Sequence, residues 1–365
     1  MYDALGTKKR LVIIFIIAAT VAIIAACLTA RVGRARHALA CAEPVELIPY
    51  DGKVEHIFTH ELIFDTAKAF SPANSVRDCF DKDHLTAAEF KALLGELYEN
   101  DYVLVSLDGV VGGAQPRVPR GKKPLVMSFD DMTYDTVNRG CIDKIIISDG
   151  ELCDYTKNAE PQITRERENV TVLESFIEQH PDFSPSGARA TLCVNGYNGI
   201  LGYRCTPNCK VSEQRRADDT AECRKLVSEL KRRGYTFASH TYYHTYFNGC
   251  AASTIEKDCA AWQKYIEPIV GKTRALCFPA GEHNAKSEKM DIFKRYGFDT
   301  FLCVGDFIGT DYERASKDAE YIYRLPFDGT ALRLYEKAYA RLADTRAIYD
   351  GTRYRPFSFK GGYHK

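Results

Sequence analysis

Two pairs of residues in this chain have the types and spacing to make water reactive. Asp130 and Asp131 end the apolar run at residues 125–129, within "KKPLVMSFDDMTYD". An unpaired buried charge costs several kcal/mol, so two carboxylates at the end of a buried strand imply either solvent or a cation. His240 and His244 stand four residues apart in "SHTYYHTYF". One helical turn would bring both imidazoles to one side. Two neutral imidazoles and one carboxylate suit zinc and leave a coordination position for water. Neighbouring strand residues face opposite ways, so the two aspartates can divide the work at a strand end. One ligates the ion, and the other takes a proton from water whose pKa the ion brings to about 7.

Something must hold these groups together. Apolar strand-like runs recur along the chain as "ARATLCVN", "YTFAS", "RALCFPA", "DTFLCVG" and "YIYRLPF". Helical stretches separate most of them, among them "TAECRKLVSELKRRG", "STIEKDCAAWQKYIEPIVG" and "KSEKMDIFKRYG". Strand-helix alternation predicts an α/β fold with a parallel sheet or barrel. In a barrel, catalytic groups gather at the C-terminal strand ends, where Asp130, Asp131 and His240 fall. Upstream, "VEHIFTHELIF" reads as a strand and then a loop, and "YVLVSL" as a strand. Thr86 and Glu89 form a capping box ahead of a helix whose Phe90, Leu93, Leu94, Leu97 and Tyr98 share one face. "DKIIISDGELCDY" reads as a hairpin turning at Asp149-Gly150, and "RERENVTVLESFIEQHPDF" as a helix that stops before Pro181.

Lys+Arg and Asp+Glu both number 49. A formal net charge of zero gives no field directed at nucleic acid. The uncharged run at residues 11–30 follows Lys8, Lys9 and Arg10 and is long enough to span a bilayer. It is read as an export signal retained as a single-pass anchor over residues 1–30, with a linker at 31–44 and the remainder outside the cytoplasm. The alternatives are a lipoprotein anchored at Cys27, after "IAAC", and simple cleavage. In an exported chain, Cys205/Cys209, Cys250/Cys259 and Cys141/Cys153 could bridge. Cys193, Cys277 and Cys303 sit in apolar runs as buried thiols.

Together these motifs resemble a family. "SFDDM" looks like the first signature of the polysaccharide deacetylases, the family-four carbohydrate esterases, and "SHTYYH" like their H-[ST]-x-x-H signature. "CFPAGEHN" is similar to the third, with Ala280 where an aromatic usually stands, and "GF…FLCV…YRLPFDG" resembles members from Gram-positive bacteria. The resemblance implies a distorted (β/α)7 barrel at residues 121–365, with residues 45–120 as a small extension packing on it. It implies hydrolysis of N-acetyl groups from a glycan, with a divalent metal, expected to be Zn2+, as cofactor. Asp130 matches the base, Asp131, His240 and His244 the metal ligands, and the Ala280 N–H the oxyanion donor. Met132 replaces the usual glycine after the aspartates. Cys277 and Phe278 stand where many members carry an arginine that steadies the base, and Arg324 is the candidate to act from another side. The family's L-x-H acid is not recognisable, and His283 is the nearest substitute.

Plainer readings stand beside these. His56 and His60 also show H-x-x-x-H spacing, but along a strand such residues lie far apart, and no second metal site is expected. Tyr242, Tyr243, Tyr246 and Phe247 are either sugar-stacking or core aromatics. Asp328-Gly329 either lines the pocket or ends a strand. The tail "TRYRPFSFKGGYHK" is a solvated or packed end, with attraction to anionic wall polymers as the alternative. The activity expected is deacetylation of an envelope glycan of peptidoglycan or poly-N-acetylglucosamine type. The competitors are an O-acetyl esterase with the same metal, and a glycan-binding protein whose site has decayed.

Overall fold

Seven strands pair in parallel and close on themselves. They are β1 (Glu55–Thr59), β2 (Lys123–Phe129), β3 (Thr191–Val194), β4 (Thr236–Ser239), β5 (Ala275–Cys277), β6 (Thr300–Val304) and β7 (Ala319–Pro326). Each of β2 to β6 pairs with the next, β1 pairs with β2, and β7 joins β6 to β1. The ring is a parallel α/β barrel. This computed structural model describes residues 45–355 apart from 136, 138, 158–159, 285–286, 306–312 and 317. The expected anchor, linker, Cys27 and all of the tail beyond residue 355 lie outside them. Among the described residues no helix is long and apolar enough to cross a membrane.

The two-residue period of the strands sorts the side chains. Val126, Cys193, Ala238, Ala275, Cys277, Leu302 and Ile322 form a cluster of small and medium side chains inside the ring. The intervening Leu125, Met127, Phe129, Leu192, Phe237, Leu276 and Phe301 belong to the larger core beneath the helices. Continuing the inner set one step past the strands reaches Asp130 and His240. The period also puts Arg324 on the inside of β7.

The helices form where their caps and apolar faces require. Helix α1 (Ala87–Glu99) begins at the Thr86–Glu89 capping box, with N–H···O distances of 2.8 and 3.1 Å. Phe90, Leu93, Leu94 and Leu97 are buried on its face. Helix α2 (Asn169–Gln179) stops ahead of Pro181. Helix α3 (Glu213–Arg233) ends at Gly234, whose φ of 105° terminates it in the left-handed region. Helix α4 (Ala252–Tyr265) follows β4, and α5 (Met290–Arg295) follows β5. The hairpin of Lys144–Ser148 and Glu151–Thr156 turns at Asp149-Gly150, as its sequence predicts.

Two expectations meet a different arrangement. Residues 45–120 supply β1, so this segment enters the barrel wall as well as packing near it. The register Thr59↔Phe129 shows why: "EHIFT" is buried at every position, as a wall strand is. The described cysteines are all unbridged. The Cys209 sulfur meets the Thr206 hydroxyl at 3.2 Å, and Cys250 donates to the Phe247 carbonyl at 3.4 Å. Cys141 packs in a separate apolar cluster with Ile63, Phe70 and Phe80. The start of the basic tail is packed: Arg353 is buried, with ion pairs to Glu89 at 2.7 Å and Asp81 at 3.3 Å.

Candidate active site

The C-terminal mouth of the barrel holds a cavity of about 370 Å³ lined by Asp130, Asp131, His240, His244, Ala280 and His60, among others. Asp130 is fixed at the end of β2, its N–H donating to the Thr59 carbonyl at 2.8 Å. Asp131 then turns away in a left-handed conformation, φ 56°. Asp tolerates that region better than most residues. The positive φ thus falls on Asp131, and Met132, in the usual glycine's place, has a negative φ and packs in the core. The kink separates the two carboxylates while keeping both in one cavity.

The Asp131 Oδ1 lies 3.5 Å from the Nε2 atoms of both His240 and His244. The Asn195 amide donates to the same oxygen at 3.1 Å. His240 Nδ1 is 3.1 Å from the Cys277 carbonyl. A carbonyl only accepts, so Nδ1 carries a hydrogen and Nε2 is the atom turned toward Asp131. Burial would lower the His240 pKa, but the neighbouring Cys277 and Asp131 outweigh it and raise it to about 10, so a cation binding here would displace the Nε2 proton. Burial holds the His244 pKa below its ordinary value, which keeps that imidazole neutral. Two donors at about 2.1 Å on a tetrahedral ion stand roughly 3.4 Å apart. The spacing and chemistry of these three groups therefore fit a zinc-like divalent cation.

The histidine pair comes together without the helical turn its spacing suggested. Thr241 and His244 both take left-handed backbone, φ 57° and 53°. Asp258 of α4 holds this loop, accepting from the Tyr242 and Tyr243 N–H groups at 2.7 and 2.9 Å and the Thr245 hydroxyl at 2.6 Å. Tyr242 and Phe247 of the same loop are core residues, while Tyr243 and Tyr246 are exposed and Tyr246 lines the cavity.

Asp130 is buried against Arg324 of β7, with Nη1–Oδ1 at 2.7 Å and Nη2–Oδ2 at 2.9 Å. Burial alone would raise the carboxyl's pKa, but the guanidinium outweighs it and holds Asp130 well below the usual carboxylate range. Ala280 sits at the turn after β5 with φ 54° and lines the cavity. His283 is engaged elsewhere. Its Nδ1 donates to the Gly281 carbonyl at 2.9 Å, its Nε2 meets the Tyr323 hydroxyl at 3.1 Å, and its ring stacks on Phe278.

His60 does face the cavity. The strand argument holds for His56, which is buried in β1. His60, however, follows Thr59, the partner of Phe129, so it stands at the same level as Asp130. Its Nδ1 donates to the Asp83 carbonyl at 2.8 Å, which directs Nε2 as the second proton site. Recognising "EHIFT" as a barrel strand is the signal that would have found it. Asn195 and Asp258 carry no comparable sequence signal. Asp328 both lines the cavity and caps the helix that follows, α6 (Gly329–Leu334), accepting from the Ala331 N–H at 2.6 Å.

Residues 184–301 match the polysaccharide deacetylase family model. That segment contains His240, His244 and Ala280, while Asp130, Asp131 and Arg324 lie outside it. The chain is similar in structure to a Streptococcus pyogenes deacetylase, PplD, in complex with acetate. The identity is 12%, covering 78% of this chain and 94% of that one at a TM-score of 0.44. It is also similar to IcaB from Ammonifex degensii, at 12% identity over 79% of this chain and 96% of that one, TM-score 0.44. None of the curated proteins matches it.

Proposed function

We propose that this protein is a metal-dependent hydrolase that removes N-acetyl groups from an envelope glycan of peptidoglycan or poly-N-acetylglucosamine type. The observation that carries the reading is the Asp131 oxygen 3.5 Å from both histidine Nε2 atoms, beside a second carboxylate tied to an arginine. The match of residues 184–301 to the polysaccharide deacetylase family model supports the reaction class.

Asp131, His240 and His244 would hold the cation, with Zn2+ the ion their chemistry favours. When bound, such an ion polarises a carbonyl and acidifies water. Asp130 stays ionised at working pH and receives the proton that water loses as it attacks the acetyl carbonyl. The Ala280 N–H, on the cavity wall, is the donor we assign to the developing oxyanion. His60 takes the task that the sequence reading gave to His283: from Nε2 it protonates the departing amine. Tyr246, exposed at the mouth, offers a ring face to a sugar. An outward-facing domain held to the membrane by residues 11–30 would meet such a polymer directly.

Metal analysis and acetate release from chitooligosaccharides and peptidoglycan fragments test the proposal. Wild type is expected to carry one equivalent of metal and to release acetate. Asp130→Asn should keep the metal and lose at least about 100-fold in turnover, and His240→Ala should lose both. Equal activity in all three proteins would overturn the assignment.

A further inference from the structure

The Cys277 sulfur has no part in the chemistry above, yet it touches both members of the central ion pair. It lies 2.9 Å from Arg324 Nη2 and 3.3 Å from Asp130 Oδ2. The other guanidinium hydrogens already have acceptors. Nη1 divides its two between Asp130 Oδ1 at 2.7 Å and the Ser128 hydroxyl at 2.9 Å. Nη2 gives one to Asp130 Oδ2 at 2.9 Å, and Nε points at the Cys303 carbonyl at 3.4 Å. Cys277 takes the fifth. A guanidinium has five N–H donors in one rigid plane, so a full set of acceptors fixes that plane.

Size matters as well as polarity. Sulfur 2.9 Å from Nη2 leaves no room for a longer side chain at 277. A small residue there is what admits an arginine arriving from β7. The backbone of Cys277 serves separately, its carbonyl accepting from His240 Nδ1 at 3.1 Å.

We propose that Cys277 is a positioning residue for the deacetylation: its sulfur accepts the remaining Arg324 N–H and thereby sets the plane in which Asp130 faces the attacking water. This rests on the function proposed above. Without that acceptor, Arg324 keeps an unpaired buried donor and the pair tilts to satisfy it. Small misplacements of reacting groups lower rates by on the order of 10- to 100-fold.

The test compares Cys277→Ala, Cys277→Val and Cys277→Ser in the full-length protein, by kcat, KM and bound metal. Valine restores volume without an acceptor, and serine restores an acceptor. Alanine and valine are expected to lose about 10-fold or more in kcat with KM and metal content unchanged, and serine to stay within about threefold of wild type. Rescue by valine but not serine would show that packing alone matters and would overturn the proposal. Three variants equal to an active wild type would overturn it while leaving the deacetylase reading intact. A wild type that releases no acetate would overturn both. Should the alanine variant fail to fold, the valine–serine comparison decides.

Discussion

Arg324 grips Asp130 through two parallel hydrogen bonds, 2.7 and 2.9 Å, although 194 residues separate them in the chain. It reaches over from β7, on the far side of β1 from the strand that carries the aspartate. Both side chains are buried. Removing one partner of such a pair strands the other's charge, at a cost of about 3–5 kcal/mol. Arg324→Met should therefore lower the unfolding free energy by about that amount and abolish most turnover. Arg324→Lys should fall between, since an ammonium is a point charge and cannot match both oxygens. Urea unfolding and acetate release together check this. A lysine variant equal to wild type in both would show that the fork geometry is irrelevant.

His60 carries a prediction that separates its role from simple substrate contact. An amine leaves poorly unless protonated, whereas an alkoxide leaves more readily. His60→Ala should cut N-acetyl hydrolysis by about 10²- to 10⁴-fold and cleavage of an activated O-acetyl ester much less. The same purified protein, assayed on acetylated chitooligosaccharide and on an aryl acetate, gives the comparison. Equal losses on both would mean that His60 serves binding and not proton donation.

The convergence of Asp131, His240 and His244 follows from residues that are few, chemically distinctive and close in sequence within each half. The barrel was legible because apolar strands and amphipathic helices alternate over two hundred or so residues. What escaped has a common cause. His60 acts from a strand whose place in the ring depends on non-local pairing, β7 with β1 and β1 with β2, and Arg324 was reached only through the family resemblance. The left-handed turns at Asp131, Thr241, His244 and Ala280 were also hidden, because none of them is a glycine. Such backbone costs energy that only surrounding contacts repay, and those contacts, the Asp258 bonds for one, cannot be read from local sequence. The cysteine pairs misled for the opposite reason: closeness in sequence says little about whether two sulfurs face each other.

Asp328 lines the same cavity but is not one of the proposed metal ligands, and it provides a pH test. Burial raises its pKa to about 6, above the ordinary value near 3.9. Between those values the folded state keeps a proton that the unfolded chain gives up. Stability contributed by this group is thus greatest below about pH 4 and falls as the pH rises through 6, by up to about 3 kcal/mol. Asp328→Asn keeps an oxygen for the Ala331 N–H and cannot ionise. The variant should match wild type in unfolding free energy near pH 4 and exceed it by about 3 kcal/mol at pH 7.5. Parallel pH dependences for the two proteins would contradict this account of the buried carboxyl.

Gly281 sets the last prediction, because it fixes the turn that presents Ala280. Its φ is 67°, and a Cβ there would lie 2.6 Å from the Val304 Cβ and 3.1 Å from the Val304 nitrogen. Gly281→Ala thus meets both an unfavourable backbone angle and a collision with β6, together costing about 1–3 kcal/mol. Relief requires the turn to move away from β6, which shifts the oxyanion donor. Turnover should drop at least about 10-fold, whereas metal content should hold, since the proposed ligands come from the turn after β2 and the end and following loop of β4. Adding Val304→Gly removes the side-chain part of the clash, the Cβ at 2.6 Å and the Cγ2 at 2.7 Å, so the double variant should regain part of the lost turnover. A double variant no better than the single one would place the damage in the backbone angle itself and not in the contact with Val304.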